Sequence, residues 1–239
     1  MNTLHSTVTA QTTLTNTLIH VGRRNAYHQA GHAAAIYLGN QQKQLPAVHF
    51  QISIKPYERD SRFSGRTMRL PSKYAAKVEG GRLLQSLPMS FADATRHLSP
   101  TEQNLCHSAI EADITNLLVG PLAEAKYVAL RDGEVFNANL VYLGALRFYG
   151  GKIEMDIINE LMGCYLPDKS ERKQKLAELF LAAYSFINQR SHWSAITSLA
   201  EFILDVNKAA TQGIIPCEDM IAMLKSHYVA SNGQHSTYS

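Results

Sequence analysis

Asn25-Ala26-Tyr27-His28-Gln29-Ala30-Gly31-His32-Ala33-Ala34-Ala35-Ile36-Tyr37 is the stretch on which the reading of this chain turns. It is rich in alanine, which loses least on entering a helix, and it predicts a helix from about Arg24 to Leu38 with Gly39-Asn40 as the stop. At 3.6 residues per turn, His28 and His32 share one face a turn apart, so two imidazoles can hold one metal ion. That is the metal-binding half of the H-E-x-x-H pattern. The residue after the first histidine is Gln29 rather than glutamate, so the group that would move a proton there is missing. The alternative reading is a pair of ordinary histidines on a half-buried helix.

The flanks are read outward from this helix. Residues 1–22 are expected to form a polar, flexible lead, and Met1 to Val21 lacks the basic and apolar regions of a secretory signal. Beyond the helix, Gln41 to Leu45 is a polar linker. Val48 to Ile54 alternates as a strand, with Phe50, Ile52 and Ile54 on one face. Phe63 to Leu70 is its expected partner, with a turn over Lys55 to Arg62 and Pro71 as the close. Tyr74 to Val78 reads as a helical turn broken by Gly80-Gly81, and Phe91 to Leu98 as a short helix.

Ser99-Pro100-Thr101-Glu102 is a helix start, with Ser99 as N-cap, Pro100 first in the helix and Glu102 three residues on. The helix is expected to reach about Leu130, with Leu105, Ile110, Ile114, Leu117, Leu118, Leu122 and Ala125 at helical spacing. Asp132-Gly133 ends it. Residues 136–149 are mixed and can be helical, ending at Gly150-Gly151. Four helical segments follow, at about 153–164, 169–190, 192–211 and 216–228, and then a polar tail. The fold class is mainly α with a small β-hairpin.

Composition narrows the function classes. The 239 residues are 45% hydrophobic, enough for a packed core. A net charge of +3 without a dense Lys/Arg stripe excludes a nucleic-acid partner. No apolar run approaches the ~18 residues of a membrane span, and no phosphate-cradling G-x-x-x-x-G-K motif occurs. Cys106, Cys164 and Cys217 lie far apart, without a C-x-x-C pair. They read as buried reduced thiols, which suits a cytoplasmic protein.

Ala26-Tyr27-His28-Gln29-Ala30-Gly31-His32-Ala33 resembles the A-x-H-E-A-G-H-A signature of the FtsH-type zinc peptidases (peptidase family M41). Val48 to Pro56 and Gly65 to Pro71 resemble the family's strand hairpin, and Gly120-Pro121-Leu122-Ala123-Glu124 its G-x-x-A-E segment. Gly150 to Ile157 resembles the region that supplies the family's third zinc ligand, an aspartate. The likeness spans most of residues 24–228. It implies a zincin-like peptidase domain over 23–165 with an insertion at about 72–104, a C-terminal helical part over 166–228, and a tail over 229–239.

For chemistry, the resemblance implies one zinc ion on His28, His32 and Asp156, with Gln29 at the position of the catalytic glutamate. Glu124 is either an acceptor that orients a ligating imidazole, an alternative ligand, or an exposed helix residue. Asp156 is either the third ligand or an aspartate placed by the helix dipole. The family's substrate lies along a strand beside the site, here Val48, Phe50, Ile52 and Ile54, or else Phe63 to Leu70. The implied partner is a peptide or unfolded protein segment. The family's ATPase module and membrane helices are not in this sequence, so a separate ATPase or a second copy of the chain are further candidate partners.

Gln29 admits three explanations. The protein is a pseudopeptidase that binds peptides or a partner, or another group such as Glu124 or Glu154 serves as base, or the glutamate of an active enzyme has been replaced. Efficient peptidase activity is not expected in the first and third cases. Elsewhere, His107 and Glu111 form a second i, i+4 pair that lacks a third partner, and His97, Glu102 and Cys106 suggest no site. Tyr27 is expected in the core.

Overall fold

The computed structural model describes residues 21–56, 74–86, 90–209 and 213–233. The expected strand Phe63 to Leu70, most of the turn before it, and Pro71 lie outside these residues. The first helix, α1 (Arg23–Ala34), continues through a π-helical turn (Ala35–Gly39) into a last turn, α2 (Asn40–Gln42). Gly39 therefore does not stop the helix. It holds right-handed angles, and the chain turns out at Gln44, the one described non-glycine residue with positive φ.

Strands β1 (Phe50–Pro56), β2 (Tyr74–Gly80) and β3 (Ile214–Ile215) form an antiparallel sheet in the order β2-β1-β3. Phe50 faces Gly80, and Ile52 faces both Val78 and Ile215. Tyr74 to Val78 is thus a strand, not the helical turn that its Ala-Ala-Lys-Val composition suggests. Its backbone pairs with β1 on one side, and on the other the Ala76 and Val78 N–H groups donate to Asn25 Oδ1 and Gln29 Oε1, both at 2.7 Å. The span expected as an insertion therefore supplies a strand of the sheet.

The helices that follow are α3 (Phe91–Thr95), α4 (Pro100–Arg131), α5 (Lys152–Tyr165), α6 (Lys169–Asn188), α7 (Arg190–Ala209) and α8 (Cys217–Gly233). A 3-10 segment at Leu143–Tyr149 precedes α5. At the start of α4 the Ser99 hydroxyl accepts from Glu102 N–H while the Glu102 carboxylate accepts from Ser99 N–H, satisfying two donors that a helix end leaves open. Of the residues expected on the inner face of α4, Ile110, Ile114, Leu118, Leu122 and Ala125 are buried, Leu117 is half-buried and Leu105 is exposed. α8 runs on past Tyr228, into what was expected to be tail.

One hydrophobic cluster runs through the described residues. Ala183 and Ile187 of α6 and Ile196, Leu199 and Ile203 of α7 share it with Ala30, Ala33 and Ala34 of α1, Ile52 of β1 and Leu118 of α4. The C-terminal helices therefore pack on the same core as the histidine helix. Among the described residues no helix is long and apolar enough to cross a membrane. The three cysteines form no disulfide; Cys217 is buried as expected, while Cys106 and Cys164 are half-buried.

Candidate metal centre

α1 is buried on every side from Ala26 to Ala34, so its two histidines are core residues before they are anything else. It approaches α4 closely because both helices carry glycine at the crossing. A Cβ on Gly31 would sit 2.7 Å from Ala123 Cβ, and one on Gly120 would run into the His32 ring. Gly150, left-handed at φ +74°, lets the chain pass beside the site, where a Cβ would lie 3.0 Å from His28 and 3.1 Å from Glu124 Oε2.

The outer nitrogen of each ring is held. His32 Nδ1 donates to the Asn116 backbone carbonyl at 2.8 Å, and since a carbonyl only accepts, that nitrogen carries the hydrogen. His28 Nδ1 lies 3.0 Å from Glu124 Oε2. The other oxygen of Glu124 accepts from Arg24 at 2.7 Å, and Arg24 also donates to the Phe148 carbonyl at 2.9 Å. Both Nε2 atoms then turn inward, to 3.3 Å and 3.7 Å from Glu154 Oε1. The second oxygen of Glu154 is buried without a hydrogen-bond partner. His28, His32 and Glu154 each offer one donor atom, all within 4.8 Å of one another, and no other such metal-capable group occurs among the described residues.

Charge is concentrated accordingly. Burial pulls the His28 imidazole down, but the hydrogen bonds and charges of Glu124 and Glu154 more than reverse it and hold it up at about 9. Burial keeps His32 below its ordinary value, with the charge on His28 adding to the effect and Glu154 opposing it. Burial alone would raise Glu154; its bonds to the two histidines instead hold its carboxyl far below the usual range. Without a cation, the cluster at neutral pH is a half-buried Glu154 carboxylate beside a protonated His28 and a neutral His32.

No family model, curated protein or solved structure matches the chain.

The structure brings His28 and His32 together with Glu154 rather than Asp156. The Asp156 side chain is 67% exposed, 3.9 Å from Lys152. Two residues on a helix are turned by ~200°, so once Glu154 of α5 points inward Asp156 must point out. Glu124 is buried, not an exposed helix residue, and it orients His28. Gln29 is buried beside the site with its oxygen occupied by Val78 N–H.

Tyr27 sits in the core as expected, stacked on Tyr127 with ring centres 4.2 Å apart. His107 and Glu111 are bridged by the Tyr165 hydroxyl, at 3.1 Å and 2.8 Å.

The expected substrate strand is not an edge. β1 is central, Phe50, Ile52 and Ile54 are buried beneath it, and only Val48, just before it, lines open space. The strand beside the site is β2. Between it, α1, α4 and the start of α5 lies a cleft of about 680 Å³ lined by Gln29, His32 and Glu154, with the Gly80-Gly81-Arg82 turn on its far rim. Asp113 fixes that rim by accepting from the Leu83 and Leu84 N–H groups at 2.9 and 3.0 Å. Arg24 and Asp113 escape sequence reasoning. The only available signal for Arg24 is its position four residues before His28.

Proposed function

We propose that the chain is a zincin-like protein related to the FtsH-type zinc peptidases. It holds one zinc ion on His28, His32 and Glu154 and receives a peptide in the adjoining cleft. The observation that carries this reading is the donor set. Both Nδ1 atoms are tied to acceptors, as ligating histidines generally are. Both Nε2 atoms converge on one carboxylate whose other oxygen is buried and unpaired, a group that a cation would satisfy. Two neutral imidazoles and a carboxylate suit zinc and leave a position open.

When bound, zinc supplies Lewis-acid polarisation of a carbonyl in the cleft. The protein's own residues hold the imidazoles, exclude water from the His28 side and seat the ligand against β2. They offer no proton acceptor at position 29. An amide does not titrate in the working range, and the Gln29 oxygen is already committed to Val78. A positioned acid–base group contributes ~10²–10⁴-fold, so efficient hydrolysis is not expected. The bond to Val78 favours a second, closely related reading, a pseudopeptidase module in which the glutamine serves the scaffold and the cleft serves recognition.

The test is zinc per chain in protein never exposed to chelator. We expect close to one equivalent in the wild type and in Asp156→Ala, and a large loss in Glu154→Ala. Less than about a tenth of an equivalent in the wild type sinks the zinc reading, given the tight binding of preformed sites. Retention in Glu154→Ala with loss in Asp156→Ala sinks the ligand assignment.

A further inference from the structure

Metal binding explains the histidines and Glu154 but not the amide nitrogen of Gln29. Val78 N–H can only donate, so the amide oxygen must face it and Nε2 must take the other branch. Gln29 lines the cleft beside His32 and Glu154, and its Nε2 makes no hydrogen bond among the described residues. A glutamate here would present only acceptors to a ligand, whereas the glutamine presents a donor. The charge balance changes as well. A dication on two neutral imidazoles and one carboxylate keeps one net positive charge, which a glutamate at position 29 would cancel and Gln29 leaves in place.

The rest of the cleft is consistent with an anionic occupant. Arg82 is exposed on the far rim and makes no ion pair within 4 Å among the described residues, although its charge reaches the Asp113 carboxylate. The two lining carboxylates on that side are already engaged. Glu79 accepts from Lys55, Ser53 and Gln51, and Asp113 accepts from Leu83 and Leu84.

The edge of β2 limits how a peptide can lie. The Ala76 and Val78 N–H groups, which a strand running the length of β2 would need, are taken by Asn25 and Gln29. A peptide that ends beside Gln29 meets no such obstacle.

We propose that the cleft is a carboxylate receptor that binds the C terminus of a peptide, with Gln29 Nε2 donating to a carboxylate oxygen and Arg82 adding positive charge at the rim. The proposal rests on the zinc reading, which supplies the net positive charge. The glutamine is then the feature that suits the site to hold a chain end.

Calorimetric titration of the zinc-loaded protein tests it, with zinc content measured on the same samples. The probes are a short alanine–leucine peptide with a free C terminus, the same peptide amidated, and acetate. We expect the free acid to bind about tenfold or more tightly than the amide, the scale of a hydrogen bond to a charged group, and acetate to bind far more weakly than the peptide acid. Gln29→Glu should abolish the preference at unchanged zinc content, and Arg82→Ala should weaken the acid several-fold while sparing the amide. Equal affinity for acid and amide, a preference that survives both substitutions, or acetate binding as tightly as the peptide acid overturns the proposal and leaves the zinc reading standing wherever zinc is bound. A chain that never takes up zinc overturns the zinc reading and this proposal with it.

Discussion

Replacing Gln29 with alanine isolates what the glutamine does for the fold. The residue is 8% exposed, and its side-chain oxygen is the acceptor for Val78 N–H on the outer edge of β2. Removing it leaves that N–H without a protein partner, a loss of ~1–3 kcal/mol for a buried donor. Val78 is half-buried and lines the cleft, so water reaches the bared group and the lower end, about 1 kcal/mol, applies. The one lost methylene, Cγ, adds at most ~0.8 kcal/mol. The sum is roughly 2 kcal/mol, or a fall in melting temperature of about 4–8 °C for a domain of this size. Gln29→Glu keeps the stem and an acceptor, so it should cost under ~1 kcal/mol in the zinc-loaded protein. Thermal and urea unfolding followed by circular dichroism reads both. Alanine unfolding with the wild type, or glutamate unfolding as early as alanine, would refute the reasoning that this amide pins β2 to α1.

Glu124→Gln should weaken zinc binding by about 10–100-fold without unfolding the chain, because the residue orients His28 and is not itself a donor to the ion; competition with a chromophoric chelator measures it, and unchanged affinity would remove Glu124 from the site. In the zinc-free protein the His28 imidazole is held at about 9, above its ordinary 6.5. A raised base stabilises the fold fully below about 6.5 and loses that contribution as pH rises through about 9. Zinc must displace that proton. We therefore expect loading between these values to release about one proton per ion and affinity to climb with pH, and calorimetry in buffers of different ionisation enthalpy counts the protons. Release of none would contradict the pairing of His28 with two carboxylates.

The parts legible in the sequence are those that local chemistry decides. Alanines and histidines at helical spacing mark α1, and the Ser99–Glu102 box marks the start of α4 to the residue. The errors lie where distant parts of the chain decide. Tyr74 to Gly80 carries no strong strand signal of its own; its conformation comes from pairing with β1 and from two side chains of α1 that occupy its outer edge. The middle of α4 is buried all round, so no amphipathic stripe distinguishes an inward Glu124 from an exposed one. Choosing between Glu154 and Asp156 requires the rotational phase of α5. That phase is set by the left-handed turn at Gly150 and by packing, neither of which can be read from spacing alone.

Burial of α1 on all sides has a thermodynamic consequence for the site it carries. In small zinc modules the ion organises the chain, and much of its binding free energy is spent on ordering loops. Here the imidazoles are fixed by an alanine-rich helix wedged between α4 and α7, with their outer nitrogens already bonded. The donors lose little further freedom when an ion arrives, so ordering entropy takes little from the affinity. Occupancy and folding are thereby separable properties, and the chain keeps its shape whether or not an ion is bound.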